Sequence, residues 1–133
     1  MNPHEVLANS KTFAVVGATR NKDKYGYQIF RILTDYGYKA YPVNPNYDSI
    51  DEYPCFPSLA DLPEKPDVAV TVVPPDVTEK IIDEARRLSI PVVWMPPGSG
   101  SEAAVQRCEE CRLGHVDEAC VILAVKFLGR RTS

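Results

Sequence analysis

The chain has 133 residues, 44% of them hydrophobic and 25% charged, with a formal net charge of −3, which is typical of one globular domain spanning residues 1–133. This mildly acidic balance argues against nucleic acid or an anionic membrane as the main partner. No apolar stretch approaches the roughly 20 residues of a membrane span, and the N-terminus lacks a signal-peptide pattern, so we expect a cytoplasmic protein without a membrane partner.

The first third of the chain alternates helix and strand signals. Residues 2–9 carry the pattern of a short capped helix, because an asparagine precedes a proline and a glutamate at the right spacing. Residues 12–16 form an apolar run that is typical of a strand buried on both faces. Apolar residues at helical spacing predict a helix over 25–36 with Gly37 as its stop, and residues 39–43 predict a second strand.

The later elements repeat this alternation. Residues 68–73 and 91–95 predict two further strands, each followed by prolines. A capping-box pattern beginning at Asp76 predicts the start of the helix between them, and Ser99 is predicted to cap the helix after them. The apolar run 121–125 fits either a buried strand or a short helix, and its periodicity does not decide between the two.

Strands that alternate with helices of about a dozen residues indicate right-handed crossovers between parallel strands. Such crossovers place helices on both faces of the sheet. We therefore predict an α/β fold, a Rossmann-like three-layer sandwich with a five-stranded, mainly parallel sheet.

The carboxyl ends of the predicted strands are the expected ligand site, because open α/β sheets bind ligands where the strand order reverses. Prolines crowd these ends, and proline fixes φ and removes a donor, so the loops should be stiff apolar walls suited to a flat base or an alkyl arm. Proline also simply ends buried strands, but its repetition at several ends favours a pocket. The four ends are Gly17-Ala18-Thr19-Arg20, Asn44-Pro45-Asn46, Val73-Pro74-Pro75 and Met95-Pro96-Pro97-Gly98.

The loop after the first strand is basic and longer than a dinucleotide fingerprint allows. That fingerprint needs G-x-G-x-x-G, whereas the next glycine after Gly17 is Gly26. Arg20, Lys22 and Lys24 stand between a strand end and a helix start, where phosphates bind backbone N–H groups and positive charge. The alternative is a solvated surface loop. The grouping of three cations favours a phosphate site.

The end of the second strand discriminates between nucleotide ligands. An NAD site places an acidic residue there to take the ribose hydroxyls. This sequence has Asn44 and Pro45, with Asp48 further along, and no arginine stands nearby in the sequence to accept a 2′-phosphate. NAD and NADP are therefore disfavoured as ligands, although they stay among the alternatives.

The cysteines suggest a redox or zinc site only weakly. Cys108 and Cys111 are predicted near the C-terminal end of a helix, beside two glutamates, where the helix dipole and the charges oppose a thiolate. A zinc site would require His115, Cys120 or Cys55 to complete it. We therefore predict that Cys108 and Cys111 are core residues and that there is no metal site. Neither histidine has a nucleophile in a recognisable motif, so no catalytic residue is assigned.

The chain resembles the small stand-alone CoA-binding proteins, whose fold is that of the N-terminal CoA-binding domain of the succinyl-CoA synthetase alpha subunit. The resemblance covers roughly residues 10 to 123, and the segment from Gly37 to Pro45 is its most specific part. The matching segments are Val15-Val16-Gly17-Ala18-Thr19, Gly37-Tyr38-Lys39-Ala40-Tyr41-Pro42-Val43-Asn44-Pro45, Pro57-Ser58-Leu59, Val73-Pro74-Pro75, and Val92-Val93-Trp94-Met95 with Gly98.

This resemblance implies that coenzyme A, or an acyl-CoA, lies across the strand ends. Its phosphates would meet the loop after the first strand, its nucleotide end would border the second and third strands, and its pantetheine arm would pass the fourth. In that order the implied binding residues are Gly17, Ala18, Thr19, Arg20 and Lys24; Asn44, Pro45, Val73, Pro74 and Pro75; and Met95, Pro97 and Gly98.

The catalytic histidine of those synthetases lies in a second domain that this sequence does not carry, so we do not expect a complete ligase. The leading hypothesis is a CoA or acyl-CoA binding module that acts as a carrier, sensor or regulator without catalysis of its own. A small NAD(P)-binding oxidoreductase or redox-sensing domain is the alternative. A homo-oligomer, or assembly with a partner enzyme subunit, is compatible with either hypothesis.

Overall fold

Seven strands and five helices make up the part of the chain that the computed structural model describes, residues 1–128. The last five residues of the predicted domain, 129–133, lie outside the described residues. The strands are β1 (Thr12–Val16), β2 (Lys39–Val43), β3 (Ser49–Ile50), β4 (Tyr53–Pro54), β5 (Val68–Thr71), β6 (Val92–Met95) and β7 (Gly114–Asp117). The helices are α1 (Pro3–Asn9), α2 (Tyr25–Asp35), α3 (Pro75–Arg87), α4 (Glu102–Glu110) and α5 (Val121–Leu128), and a 3-10 turn spans Leu59–Asp61.

The central sheet has the strand order β2-β1-β5-β6-β7, and all of its strand pairs are parallel. The short strands β3 and β4 form a separate antiparallel hairpin. This arrangement confirms the predicted α/β sandwich with a five-stranded parallel sheet. Chain order reverses between β1 and β5, so the carboxyl ends of these two strands are the switch point where ligands of such sheets bind.

Successive side chains of the buried strands pack alternately into two core layers, one on each face of the sheet. In β1, Phe13 and Val15 pack in the layer covered by α1, α2 and α5, whereas Ala14 and Val16 pack in the layer covered by α3 and α4. The helices therefore lie on both faces of the sheet. None of the described helices is both long enough and apolar enough to cross a membrane.

The apolar run 121–125, which fitted either a strand or a helix in the sequence, is helical in the structure. The run 121–125 is part of helix α5, which contacts α1 and α2, and its buried residues join their core layer. The fifth strand of the sheet is instead β7, whose only fully apolar residue is Val116. Because β7 is an edge strand that pairs with β6 alone, it needs little apolar character, and this explains its weak sequence signal.

Two predicted helix starts are wrong. Helix α3 begins at Pro75 with Pro74 as its N-cap, so Asp76 lies inside the first turn and forms no capping box, because the proline ring already sets the φ of a first helical residue. Helix α4 is capped by Ser101, whose hydroxyl accepts from the Ala104 N–H at 3.0 Å, and not by Ser99.

Candidate functional site

The loops after β1 and β5 touch at the switch point. Gly17 follows β1 and has a φ of +96°, a conformation that side chains disfavour. A Cβ at this position would also overlap the carbonyl oxygen of Val72, in the loop after β5. Strand β5 ends at Thr71, two residues before the predicted end, so Val72 and Val73 belong to this loop. Gly17 thus permits the two strand ends to meet.

Helix α2 starts on top of the β1 end. A Cβ on Gly26 would overlap the carbonyl oxygen of Gly17, so the first turn of α2 packs directly on the loop backbone. The N-cap of this helix is Lys24, which makes no side-chain cap bond, and the first turn holds no acidic residue. The positive end of the α2 dipole is therefore left for an external anion. In the G-x-G-x-x-G fingerprint the third glycine lets the helix pack closely on the strand, and Gly26 has this role here. The sequence did not reveal the role because the spacing from Gly17 to Gly26 is longer than in the fingerprint.

Two cavities open beside the end of β5. The first holds about 290 Å³ and lies between the ends of β1 and β2 and helix α3; it is lined by Val16, Gly17, Val43, Asn44, Pro45, Pro57, Ser58, Leu59, Val73, Val77, Ile81 and Glu84. The second holds about 420 Å³ between the ends of β5 and β6 and the start of α2; it is lined by Tyr25, Thr71, Val72, Val73, Pro74, Pro75, Pro96, Pro97, Gly98 and Ser99. Val73 borders both, so the two cavities adjoin.

Asn44 ties the ends of β1 and β2 together. Its Nδ2 donates to the carbonyl oxygen of Ala18 at 2.8 Å, and its Oδ1 accepts from the N–H of Asn46 at 2.9 Å. Both ends of the amide are therefore used within the chain. The amide braces the loops after β1 and β2 and has little hydrogen-bonding capacity left for a ligand.

Arg20 reaches from the β1 loop to the segment that follows β2. Its Nε donates to the carbonyl oxygen of Ser49 at 2.8 Å, and its guanidinium carbon lies 5.2 Å from the centre of the Tyr47 ring. The Tyr47 hydroxyl lies 3.0 Å from the Thr19 hydroxyl. No arginine lies near the end of β2 in the sequence, but the fold brings Arg20 to Tyr47 and Ser49 in the segment that follows β2.

The structure brings most of the predicted binding residues to this edge of the sheet. Those that line a cavity are Gly17, Asn44, Pro45, Val73, Pro74, Pro75, Pro97 and Gly98. Thr19, Arg20 and Lys24 lie in the adjoining loop, and Ala18 is buried beneath it. Met95 is fully buried among the residues of the α3–α4 layer, so it lies behind the cavity wall and not on the path predicted for it.

Polar groups also line the second cavity, and sequence reasoning did not single them out. The hydroxyls of Thr71 and Ser99 lie 3.0 Å apart, and Ser99 also donates to the Pro96 carbonyl. The Tyr25 hydroxyl donates to the Cys120 Sγ at 2.9 Å, and burial raises the pKa of Tyr25 above its ordinary value, with the Cys120 bond adding to the effect. Tyr25 is therefore a neutral phenol at the cavity wall.

One further bond joins β6 to the loop before α5. Trp94 is fully buried, and its Nε1 donates to the carbonyl oxygen of Ala119 at 2.8 Å. Ala119 directly precedes Cys120, the partner of Tyr25. The buried side chain of Trp94 in β6 is thereby linked, through residues 119 and 120, to Tyr25 at the wall of the second cavity.

The two cysteines of α4 differ in environment. Cys108 is fully buried, and loss of hydration raises the pKa of its thiol to about 11. Cys111 is half-buried at the C-cap, so the prediction that both face the core holds for Cys108 only. Within residues 1–128, no group of three or more histidine, cysteine or acidic side chains is arranged to hold a metal ion.

Comparison with known proteins gives a family match. Residues 11–126 match the family model described as the CoA binding domain. An ADP-forming acetate–CoA ligase from Methanocaldococcus jannaschii is 38% identical over 84 residues, which are 63% of this chain and 12% of the ligase. The chain therefore spans about an eighth of the length of that relative.

Two solved structures share the fold. A hypothetical protein from Pyrococcus horikoshii OT3 superposes with a TM-score of 0.90 at 27% identity, covering 96% of this chain and 92% of that protein. The dinucleotide-forming acetyl-coenzyme A synthetase 1 of Ca. Korarchaeum cryptofilum, solved with phosphate and ADP, superposes with a TM-score of 0.74 at 34% identity, covering 86% of this chain and 27% of the synthetase. These findings confirm the predicted fold and the resemblance to CoA-binding domains.

Proposed function

Because this chain belongs to the family of CoA-binding domains, we propose that it is a module that holds coenzyme A or an acyl-CoA and performs no catalysis of its own. Coenzyme A is the cofactor that this family membership supports. Carriage, sensing or regulation is the role that we infer for the bound molecule.

The path of the ligand follows the two adjoining cavities. The diphosphate lies over Gly17, Thr19 and the uncapped start of α2, where backbone N–H groups and the helix dipole favour anions. The adenosine end enters the 290 Å³ cavity, beside Asn44 and Pro45. The pantetheine arm crosses Val73, and the cavity lined by Pro74, Pro75, Pro97 and Gly98 receives it.

One observation carries this proposal: an uncapped helix start adjoins two mainly apolar cavities that share Val73. Coenzyme A has the matching sequence of groups, since a charged diphosphate separates a flat base from a long, largely apolar arm. A second dinucleotide half would instead require hydrogen-bonding partners for another ribose.

The polar groups at the thiol end support a binding role. The hydroxyls of Thr71 and Ser99 bond to each other and to backbone carbonyls, so neither faces a general base that would activate it. Tyr25 keeps its proton because its pKa is raised. These groups are suited to holding the end of the arm in place.

Acyl transfer would then be the work of another protein. The ligase relatives carry this domain as a small part of a longer chain. A partner enzyme subunit, or a second copy of this chain, is the partner that we propose for the loaded module.

A small NAD(P)-binding oxidoreductase is the second candidate function, and the position of Arg20 is the observation that favours it. An arginine near the end of the second strand accepts a ribose phosphate in NADP sites. Asn44 opposes NAD, because its amide is used within the chain and no carboxylate replaces it.

Calorimetric titration of the purified protein with coenzyme A, acetyl-CoA, NAD and NADP tests the proposal. We expect coenzyme A or its thioester to bind at least tenfold more tightly than either dinucleotide, a difference of about 1.4 kcal/mol. Tighter binding of NAD or NADP would contradict the proposal. Release of free coenzyme A from acetyl-CoA by the protein alone would contradict the absence of catalysis.

A further inference from the structure

Arg20 is held in place by uncharged partners. Its Nε donates to the Ser49 carbonyl oxygen at 2.8 Å, and its Nη2 lies 3.4 Å from the Ser49 hydroxyl. The guanidinium packs on the ring of Tyr47, which is fixed in turn by the 3.0 Å contact between its hydroxyl and that of Thr19. The side chain is therefore oriented while its charge is not neutralised.

Two other arginines, Arg31 and Arg107, are paired with acids. Arg31 lies 2.7 Å from an oxygen of Asp35, and Arg107 lies 2.7 Å from an oxygen of Asp83. Among residues 1–128, no carboxylate oxygen lies within 4.0 Å of the Arg20 nitrogens. An oriented arginine without an acidic partner is the arrangement that binds an external anion, since a planar guanidinium takes a phosphate through two parallel hydrogen bonds.

Arg20 lies beside the segment that follows β2, next to but not among the residues that line the two cavities. Tyr47 and Ser49 follow the end of β2, and in nucleotide-binding sheets this end reads the substituents of the ribose. Asn44, at the same place, has both ends of its amide bonded within the chain. Arg20 supplies the positive charge at this end of the sheet, whereas Ser58 and Glu84, which line the first cavity, carry none.

We propose that Arg20 binds the phosphate monoester on the ribose, which is the 3′-phosphate that separates coenzyme A from dephospho-coenzyme A, and that Tyr47 is its positioning residue. This inference rests on the proposed function, because it specifies which part of the bound coenzyme A the arginine reads. The diphosphate stays with the backbone of the β1 loop and the start of α2.

Calorimetric titrations of the parent protein and of Arg20→Gln with coenzyme A and with dephospho-coenzyme A test the assignment. We expect the parent to prefer coenzyme A by roughly tenfold to a hundredfold, the factor that hydrogen bonds to a charged group supply. Arg20→Gln should lose this preference by binding coenzyme A more weakly, with its affinity for dephospho-coenzyme A unchanged. Arg86→Gln, an exposed arginine in the last turn of α3, is the matched charge control and should keep the preference.

Two variants of Tyr47 separate positioning from structure. Tyr47→Phe keeps the ring under the guanidinium and should retain the preference to within about threefold, whereas Tyr47→Leu removes the ring and should lose most of it. The unfolding midpoint of each variant in urea shows whether it is folded under the conditions of the titration. Equal preference in Tyr47→Leu and the folded parent would overturn the positioning role.

The remaining outcomes distinguish this inference from the proposed function. If Arg20→Gln weakens both ligands equally, the arginine binds the diphosphate, and the 3′-phosphate assignment is overturned while CoA binding stands. An unchanged preference in Arg20→Gln overturns it in the same way. If the parent protein binds neither ligand, the proposed function itself fails.

Discussion

The Cα of Gly26 faces the carbonyl oxygen of Gly17 so closely that a Cβ there would overlap it. This contact seats the first turn of α2 on the end of β1. The start of the helix and the strand end are thereby fixed relative to each other before any ligand binds. Phosphate binding at this point depends on that spacing, because both the helix N–H groups and the loop backbone belong to the proposed diphosphate site.

Gly26→Ala should therefore lower both stability and affinity. Alanine in an unobstructed helix would raise the free energy of unfolding by about 1 kcal/mol. At position 26 the added Cβ would overlap the Gly17 carbonyl oxygen, so the free energy of unfolding should instead fall by about 1–2 kcal/mol, as it does when a core is overpacked. Urea denaturation and titration with coenzyme A measure the two effects. A more stable variant would show that the contact is loose.

Lys24→Asp should stabilise the free protein and weaken its ligand binding. The carboxylate would cap α2, which lacks a side-chain cap, and raise the free energy of unfolding by about 0.5–2 kcal/mol. It would also occupy the N–H groups that are proposed to meet the diphosphate. Lys22→Asp changes the charge equally without reaching the N-cap, so it is the control. Equal loss of affinity in both variants would indicate a charge effect alone.

Stability should fall at high pH because of Cys108. Its folded-state pKa is raised to about 11 by burial, so the unfolded state loses its proton first as the pH rises. The stabilisation is fully present below the ordinary thiol pKa and is lost as the pH rises to about 11. Tyrosines titrate in the same range, so the test is the difference between the parent and Cys108→Ala. The variant should lose less stability between pH 8 and roughly pH 11.

Asn44→Asp should destabilise the chain without creating an NAD site. The carboxylate oxygen that replaces Nδ2 cannot donate to the Ala18 carbonyl, and two acceptors then face each other, at a cost of about 1–3 kcal/mol. Asn46→Asp, at an exposed position, is the control. Thermal melts with coenzyme A and with NAD give both readouts. A variant that binds NAD more tightly than coenzyme A would favour the dinucleotide alternative.

The regular elements were predictable because each has its own local signal. The apolar run of β1 and the glycine that stops α2 are visible without any knowledge of distant contacts. The capping assignment at Asp76 failed because α3 begins one residue earlier, at Pro75, without a side-chain cap. At the start of α4, Ser99 and Ser101 were both chemically able to cap. Tertiary context chose among them, since burial of Ser99 against Thr71 removed it from the helix end.

The location of the two cavities was predictable, but the contacts between distant segments around them were not. The strand ends marked the edge of the sheet at which the cavities lie. The pairing of Arg20 with Ser49, and of Thr19 with Tyr47, joins segments about 30 residues apart, and no local pattern encodes such contacts. The family resemblance assigned Met95 to the pantetheine path, yet its side chain is fully buried in the core.

Trp94 gives the protein an intrinsic optical reporter. It is the single tryptophan of the chain, and its indole N–H is bonded to the residue before Cys120. Any ligand that moves Tyr25 acts on the loop to which this indole is bonded. If the second cavity holds the ligand as proposed, the emission of the unlabelled protein should change on binding, and rapid mixing would time that change.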